Sequence, residues 1–328
     1  MKQPILFLIC LMLNQTMKAQ SEKKAETDSM KIINSPVFIP ADSGLIHGSL
    51  CISKDFNKET ALLIISGSGP TDRDGNSLMI KGKNDALKQL ANALAQCGFA
   101  SIRYDKRGIG ESKKAGPHEK DLRFDQYVND AANWVEYLRS AYNFKNIIII
   151  GHSEGALIGM LAAKQSKGNG FISLCGAGRK AADIIKEQLS KQLPDSLMNE
   201  VDKDLDSLEH GHLVIRYPLP LFSLFRPSVQ PYLMSWFKED PAQIIASLQM
   251  PVLIVQGKSD IQVSMRDAKI LHKANPKSTL LAIDQMTHVL KIVRESKDIS
   301  PTITYEYPDF PLSAKLVDGI LSFLKNYN

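Results

Sequence analysis

The sequence predicts an α/β fold: a mostly parallel sheet covered by helices on both faces. Three observations carry that reading. Short apolar runs alternate along the chain with longer segments of helical spacing, the pattern of strands joined by crossover helices. The run Ile147-Ile148-Ile149-Ile150 is apolar at every position, as in a strand buried on both faces. It leads directly into Gly151-His152-Ser153-Glu154-Gly155 and then into the apolar stretch from Ala156 to Ala163, which reads as a buried helix. A serine on so sharp a strand-to-helix turn is lifted above the sheet with its hydroxyl exposed. The flanking glycines omit side chains that would collide where strand and helix cross. The five-residue pattern alone is weak, at about a tenth of a chance match per chain of this size, and the strand and helix around it supply the specificity. The competing reading is an ordinary serine in a strand-loop-helix turn.

Taken in order, residues 1–20 read as a secretory signal. Lys2 gives the positive start, Ile5 to Leu13 the apolar stretch, and Met17-Lys18-Ala19-Gln20 a cleavage region. The apolar stretch is well short of the ~20 residues that span a bilayer, so no stable membrane anchor is expected after cleavage, and the protein is expected in the periplasm or outside the cell. Cys10 lies inside that stretch without the small residue that precedes a lipoprotein cysteine. Residues 21–35 form a polar arm. Residues 36–178 are the first part of the core. Val37 to Ile39 and Leu45 to Ile52 predict strands around the turn Asp42-Ser43-Gly44. Leu62 to Ile65 predicts a short strand that opens into the Gly-rich loop from Gly67 to Asn76. Asn84 to Cys97 has helical spacing and stops at Gly98. Phe99 to Tyr104 predicts a strand, Asp125 to Tyr142 an amphipathic helix, and Phe171 to Cys175 a further strand.

The alternation breaks over residues 179–249, which are helical and charged, then rich in proline and large apolar groups. This predicts an inserted helical lid over one end of the sheet. Residues 250–328 resume the core, with strands at Val252 to Gln256 and Thr279 to Ile283 and helices at Met265 to Ala274 and Leu312 to Leu324.

The formal charge of +5 falls to +3 once Lys2 and Lys18 leave with the signal, so no nucleic-acid partner is implied. Cys51, Cys97 and Cys175 then remain. Their odd number on separate elements argues for buried free thiols rather than a disulfide framework.

The chain resembles the α/β-hydrolase superfamily, most closely secreted bacterial esterases of the serine-aminopeptidase-like or dienelactone-hydrolase-related type. The resemblance covers roughly Pro36 to Leu324. It rests on Gly67-Ser68-Gly69-Pro70-Thr71-Asp72-Arg73-Asp74-Gly75-Asn76, on Tyr104-Asp105-Lys106-Arg107-Gly108-Ile109-Gly110-Glu111-Ser112, on the Gly151 to Gly155 turn, and on Gly257-Lys258-Ser259-Asp260 with Thr287-His288, in the family's order. Many relatives open the first loop with His-Gly, where this chain has Ser66-Gly67. The resemblance implies the α/β-hydrolase fold with a helical lid, and a serine hydrolase that needs no cofactor or metal.

Serine is a poor nucleophile until a base lies within hydrogen-bond reach. In this fold the chain order is nucleophile, acid, histidine. Ser153 is the expected nucleophile. His288 lies just past the last predicted strand, where its ring can hang over the turn, and is the expected base. His152 adjoins the serine, but adjacency at such a turn points its side chain away. Asp260 stands at the family's position for the acid. Asp284 and Asp267 are rivals, and a turn or helix-capping role competes for Asp260. The backbone N–H groups of Glu154 and Ser68 are the expected donors to a developing oxyanion. The competing reading of Gly67 to Gly69 is a plain turn. Asp72, Arg73 and Asp74 are expected to brace that loop through charge pairs, and Asp105, Arg107 and Gly108 to form a structural turn.

Other matches carry less. Gly176-Ala177-Gly178-Arg179-Lys180-Ala181 fits a dinucleotide pattern but comes too late in the chain. Gly257-Lys258-Ser259 lacks the first glycine of a phosphate loop, and His210-Gly211-His212 lacks a third metal ligand. Phe222, Tyr232 and Trp236 in the lid either line a substrate pocket or pack the lid onto the core.

The leading reading is therefore a serine hydrolase cleaving small-molecule carboxylic esters. A peptidase or aminopeptidase with the same triad is the rival. Glu200, Asp202, Asp204, Asp206 and Glu209 offer it negative charge, although their spacing predicts a solvated helix face. A non-catalytic binding protein on this fold is a rival from another class.

Overall fold

The computed structural model describes residues 31–293 and 300–327. The expected signal segment, and the polar arm up to residue 30, lie outside the described residues. No helix among the described residues is long and apolar enough to cross a membrane.

The described strands form one eight-stranded sheet, in the order β1-β2-β4-β3-β5-β6-β7-β8. Strands β1 (Ile33–Ala41) and β2 (Gly44–Ile52) form an antiparallel hairpin, and β2 also lies antiparallel to β4 (Ala100–Tyr104). From β4 onward every pairing is parallel, through β3 (Thr60–Ile65), β5 (Asn146–His152), β6 (Gly170–Leu174), β7 (Val252–Gly257) and β8 (Thr279–Ile283). The expected mostly parallel sheet is thus present. The arm predicted for residues 21–35 ends earlier than expected, because Ile33 to Ser35 already belong to β1, where Ile33 pairs with Ile52 and Ser35 with Leu50. Backbone pairing extended the hairpin through Asn34 and Ser35, whose polar side chains gave no strand signal.

Both faces of the sheet are buried, and the alternation within a strand shows it. In β5, Ile147 and Ile149 join one apolar cluster while Ile148 and Ile150 join the other. The first cluster includes α2 (Phe124–Tyr142), α3 (Glu154–Gln165) and α9 (Met265–Ala274). The second includes α1 (Ala86–Gln96) and α10 (Ala314–Leu324).

Between β6 and β7 the chain forms α4 (Ala181–Ser190), α5 (Asp195–Glu209), the single turn α6 (Phe222–Phe225), α7 (Gln230–Phe237) and α8 (Pro241–Ala246). Tyr232, Leu233 and Phe237 of α7 are buried in the same cluster as Phe124 and Tyr127 of α2. The acidic residues of α5 do not form a uniformly solvated face. Asp204 is turned inward with Val201, Leu205 and Leu208, and burial raises its carboxyl above the ordinary value. The three cysteines are all free, but only Cys51 and Cys175 are buried. Cys97 is exposed because it sits just past the last residue of α1, off that helix's apolar stripe.

The connection after β3 leads to β4 on one side, and the next strand, β5, lies on the other. Such a switch point opens a crevice at the carboxyl ends of the two strands, where ligands bind in open α/β sheets. The turn at Ser153 lies there. Its geometry demands glycine on the α3 side: a Cβ on Gly155 would stand 2.5 Å from the Ile65 carbonyl oxygen and 2.6 Å from that of Ser66. Both are backbone atoms of the neighbouring strand end and cannot swing aside. Gly155→Ala is expected to lower stability by about 2–3 kcal/mol through this overpacking. Urea denaturation checks it, and an unchanged midpoint would show that the helix can lift off β3 without loss.

Candidate active site

Ser153 has φ 56° and ψ −121°, a backbone conformation that non-glycine residues rarely adopt. Holding it there costs on the order of 1–3 kcal/mol, and such strain persists only where the surroundings over-determine it. Here the Ser153 N–H donates to the Leu174 carbonyl at 2.9 Å, and the Ala156 N–H donates to the Ser153 carbonyl at 3.0 Å. The serine therefore stands at the junction of β5 and α3, at the wall of a cavity of about 380 Å³.

The loops after β7 and β8 are joined to each other. The Lys258 N–H donates to the Ile283 carbonyl at 2.9 Å and the Ser259 N–H to the Met286 carbonyl at 3.1 Å. This pairing sets Asp260 beside His288, with 2.8 Å between Asp260 Oδ2 and His288 Nδ1 and both side chains buried. Burial alone would raise the Asp260 carboxyl. The opposing charge of His288, its hydrogen bond, and the N–H groups of Val263 and Gln262 outweigh burial and hold it below the ordinary value. A carboxylate only accepts, so Nδ1 carries the ring proton. In the neutral ring Nε2 then has the lone pair. The rivals are elsewhere: Asp284 is exposed and pairs with Lys258 at 2.7 Å, and Asp267 is buried against Arg179 at 2.7 Å. Asp260 also caps its own turn, its Oδ1 accepting from the Gln262 and Val263 N–H groups. The expected acid and the competing turn role are thus one residue using its two oxygens separately.

Sequence reasoning passed over Gln256, at the end of β7. Its buried Nε2 donates to Asp260 Oδ2 at 2.9 Å and to the Val263 carbonyl at 2.8 Å. Cys175 lies close by, its Sγ within 4.8 Å of the Asp260 and His288 ligand atoms. Burial first, and the Asp260 charge next, push that thiol far above its ordinary value, so it stays protonated. His152 does point away from the serine hydroxyl, but into the protein. Its Nε2 is 2.8 Å from the His288 carbonyl and its ring centroid 4.8 Å from that of His288. The carbonyl only accepts, so His152 is the Nε2–H tautomer.

Ser153 and His288 thus stand at the same end of the sheet, linked by the hydrogen bond between the His152 ring and the His288 carbonyl. The Ser153 hydroxyl has no hydrogen-bond partner among the described residues.

Gly67 approaches closely from the loop after β3: a Cβ there would lie 3.2 Å from that of Ser153. Ser68 and Glu154 both line the cavity. Neither amide N–H has an acceptor among the described residues. The loop is braced by charge pairs at Arg73 and Asp74 as expected, whereas Asp72 braces it by accepting the Asp74 and Asn76 backbone N–H groups. Arg73 pairs with Asp105 at 2.7 Å and with Glu111, and Asp74 pairs with Arg103 at 3.0 Å.

The cavity wall is mainly apolar, with Leu157, Ile184, Leu224, Leu233 and Trp236 among its residues. Of the three lid residues singled out, Trp236 and Tyr232 line it and Phe222 does not. Phe222 is half exposed and lies against Tyr217, because the single turn of α6 directs Leu224 inward instead. Tyr232 does more than line the wall, since its hydroxyl donates to Glu154 Oε1.

Burial first, and the neighbouring His288 next, lower the His152 imidazole from 6.5 to about 3. The unfolded chain therefore takes up this proton before the folded one does. The contribution is present above pH 6.5 and is lost as pH falls toward about 3. Stability should thus drop with falling pH across that window, by on the order of 3–5 kcal/mol from this group. His152→Asn should flatten the slope by up to one proton in denaturation curves taken between pH 7 and pH 4. Equal slopes for the two proteins would refute this account of His152.

Residues 82–295 match the family model described as serine aminopeptidase, S33. Esterase EstD of Thermotoga maritima is 26% identical over 248 residues, covering 75% of this chain, which in turn spans only 58% of EstD. Serine hydrolase BPHL of Homo sapiens is 25% identical over 224 residues, 64% of this chain and 70% of that protein. Among solved structures, Est1E from Butyrivibrio proteoclasticus with ferulic acid bound superposes with a TM-score of 0.58 at 18% identity, over 88% of this chain and 99% of that one. The Pyrococcus furiosus esterase Pf2001 gives 0.56 at 17% identity, over 90% and 91%. These two likenesses bear on the fold alone. With the sheet order, the matched segment and the elbow at Ser153 agreeing, the chain belongs to the serine aminopeptidase S33 family of the α/β-hydrolase fold.

Proposed function

We propose that this protein is a serine esterase acting on small carboxylic esters with an apolar acyl or alkyl group. Ser153 Oγ attacks the ester carbonyl carbon while His288 Nε2 takes its proton. Asp260 holds the ring in the Nδ1–H tautomer and stabilises the imidazolium. The N–H groups of Ser68 and Glu154 receive the oxyanion, with Glu154 at the positive end of α3. The leaving alcohol departs with the proton from His288. Water then repeats the sequence on the acyl-enzyme and restores Ser153. The helices between β6 and β7 act as a lid whose inner face forms the pocket. The observation that carries this reading is the buried Asp260–His288 pair at the same end of the sheet as a serine in a strained turn. The similarity to esterase EstD supports it.

The family's name invites the aminopeptidase reading. A substrate ammonium would need an unpaired carboxylate in the cavity. Among the described residues lining it, Glu154 is the sole carboxylate, and it is bound by Lys106 at 2.8 Å and by Tyr232. The wall's two arginines are also neutralised, Arg179 by Asp267 and Glu187, and Arg226 by Glu119. A wall without free charge favours an uncharged ester.

Two experiments bear on this. Wild-type protein should turn over p-nitrophenyl acyl esters far faster than an alanyl p-nitroanilide, and the reverse order would favour the peptidase. Ser153→Ala should cut kcat by several powers of ten, ~10⁶ in a comparable triad, with folding intact. A loss of less than about tenfold would mean the nucleophile is elsewhere. Export through residues 1–20 belongs to the same proposal, and predicts a mature protein whose first residue lies near position 21 by N-terminal sequencing.

A further inference from the structure

We propose that Lys106 is a positioning residue that sets the oxyanion-binding amide of Ser68. The proposal rests on the esterase reading above. Lys106 follows β4 and is almost fully buried, an uncommon place for an ammonium. Its Nζ donates to the Gly67 carbonyl at 2.6 Å and to Glu154 Oε2 at 2.8 Å. It also lies 5.0 Å from the centroid of the Tyr127 ring, which favours a cation at that site.

The contact with Gly67 matters because of the peptide plane. No peptide bond among the described residues is cis. In a planar trans peptide the carbonyl of one residue and the N–H of the next point to opposite sides. A cation fixing the Gly67 oxygen on one side therefore fixes the Ser68 N–H on the other. The Ser68 carbonyl is anchored separately, by the Thr71 hydroxyl at 2.7 Å. With both flanking carbonyls held, the Ser68 amide has little freedom to turn. The ammonium also polarises the peptide it binds, making that N–H a stronger donor.

The second bond of Lys106 reaches the side chain of Glu154, the residue whose N–H is the other proposed donor. Glu154 contributes its backbone N–H to the cavity, and its side chain is the counter-ion of Lys106. One ammonium thus links the loop after β3 to the first residue of α3. The Tyr232 hydroxyl on Glu154 Oε1 continues the link into α7. The two donors come from separate elements, and Lys106 bonds to the carbonyl of the peptide that carries one and to the side chain of the residue that carries the other.

Removing Lys106 alone would leave Glu154 buried and unpaired, a fault that destabilises by about 3–5 kcal/mol. The test therefore uses Glu154→Gln as the parent and adds Lys106→Met, Lys106→Gln or Lys106→Arg to it. Readouts are kcat and KM on a p-nitrophenyl ester, melting temperature, and affinity for an alkyl trifluoromethyl ketone. That inhibitor adds to Ser153 Oγ through its carbonyl carbon. The serine proton passes to His288 and the former carbonyl oxygen becomes the oxyanion. Lys106→Met should lose kcat about 10- to 100-fold against the parent, with a parallel loss of inhibitor affinity and KM nearly unchanged, as for a misplaced donor. Lys106→Gln should fall between, and Lys106→Arg should restore most of the loss. A purely structural role would lower the melting temperature without that parallel loss. Folded Met or Gln variants matching the parent in both kcat and inhibitor affinity would overturn the proposal. Each variant is compared with the parent separately, so one folded member suffices. In the unsubstituted enzyme the Ser68 amide proton should move downfield in NMR when the ketone adds, and an unmoved resonance overturns the proposal without any variant. Absence of ester turnover in the wild type, or its survival in Ser153→Ala, would instead sink the esterase reading itself.

Discussion

The molecule is organised around one close approach, that of the start of α3 to the end of β3. Gly155 lies so near the Ile65 and Ser66 carbonyls that no side chain fits between them. That contact draws the turn after β5 tight and forces Ser153 to φ 56°. It also brings the loop after β3 over the serine, since Ser66 and Gly67 continue directly from the strand that Gly155 touches. A wider separation would relax Ser153 and withdraw Gly67 together. The strain at the serine and the closeness of Gly67 are therefore two results of one packing constraint.

Charge does at the end of β4 what packing does at the end of β3. Asp105, Lys106 and Arg107 are consecutive, buried, and paired with different elements. Asp105 holds Arg73 of the loop after β3, Lys106 holds Glu154 of α3, and Arg107 holds Asp130 of α2 at 2.5 Å. Buried pairs of this kind contribute little net stability, because desolvation offsets the attraction. Their effect is geometric: a loop and two helices are referred to one short turn. The Asp260 carboxylate is set by the same means. Gln256 and two backbone N–H groups share its oxygens with His288, so the ring meets a carboxylate that cannot rotate.

What the sequence made legible was whatever repeats locally. The apolar runs, the helical spacing after them, and the glycines around Ser153 are short-range signals, and they located the sheet, the elbow and the break in alternation. Asp260 and His288 followed from their places just after two strands. Tertiary partners left no such trace. Lys106 stands in a motif that was recognised, yet only the folded chain reveals that it faces Gly67 rather than solvent. A run of three charges directly after a buried strand was the available clue. Phe222 failed for a related reason, since a one-turn helix has no periodicity from which to decide which side chain faces the cavity. Asp204 was misread because five acidic residues in one helix look solvated, while the Val201, Leu205 and Leu208 stripe carries its inward position.

The division of labour between frame and insertion follows from where the site residues come from. Ser153, Asp260 and His288 lie on loops at the ends of β5, β7 and β8, and Ser68 lies on the loop after β3. Most of the apolar cavity wall comes instead from the segment between β6 and β7. The two sets meet in few polar contacts, of which the Tyr232–Glu154 hydrogen bond is buried and adjoins the serine. An insertion of different sequence could therefore change which ester fits without disturbing the proposed chemistry, provided it kept a donor for Glu154. Without that donor, one Glu154 oxygen would be left buried and unpartnered beside the proposed oxyanion site, in a region where unsatisfied charge is costly. That contact helps tie the inserted part of the cavity to the frame that carries the serine.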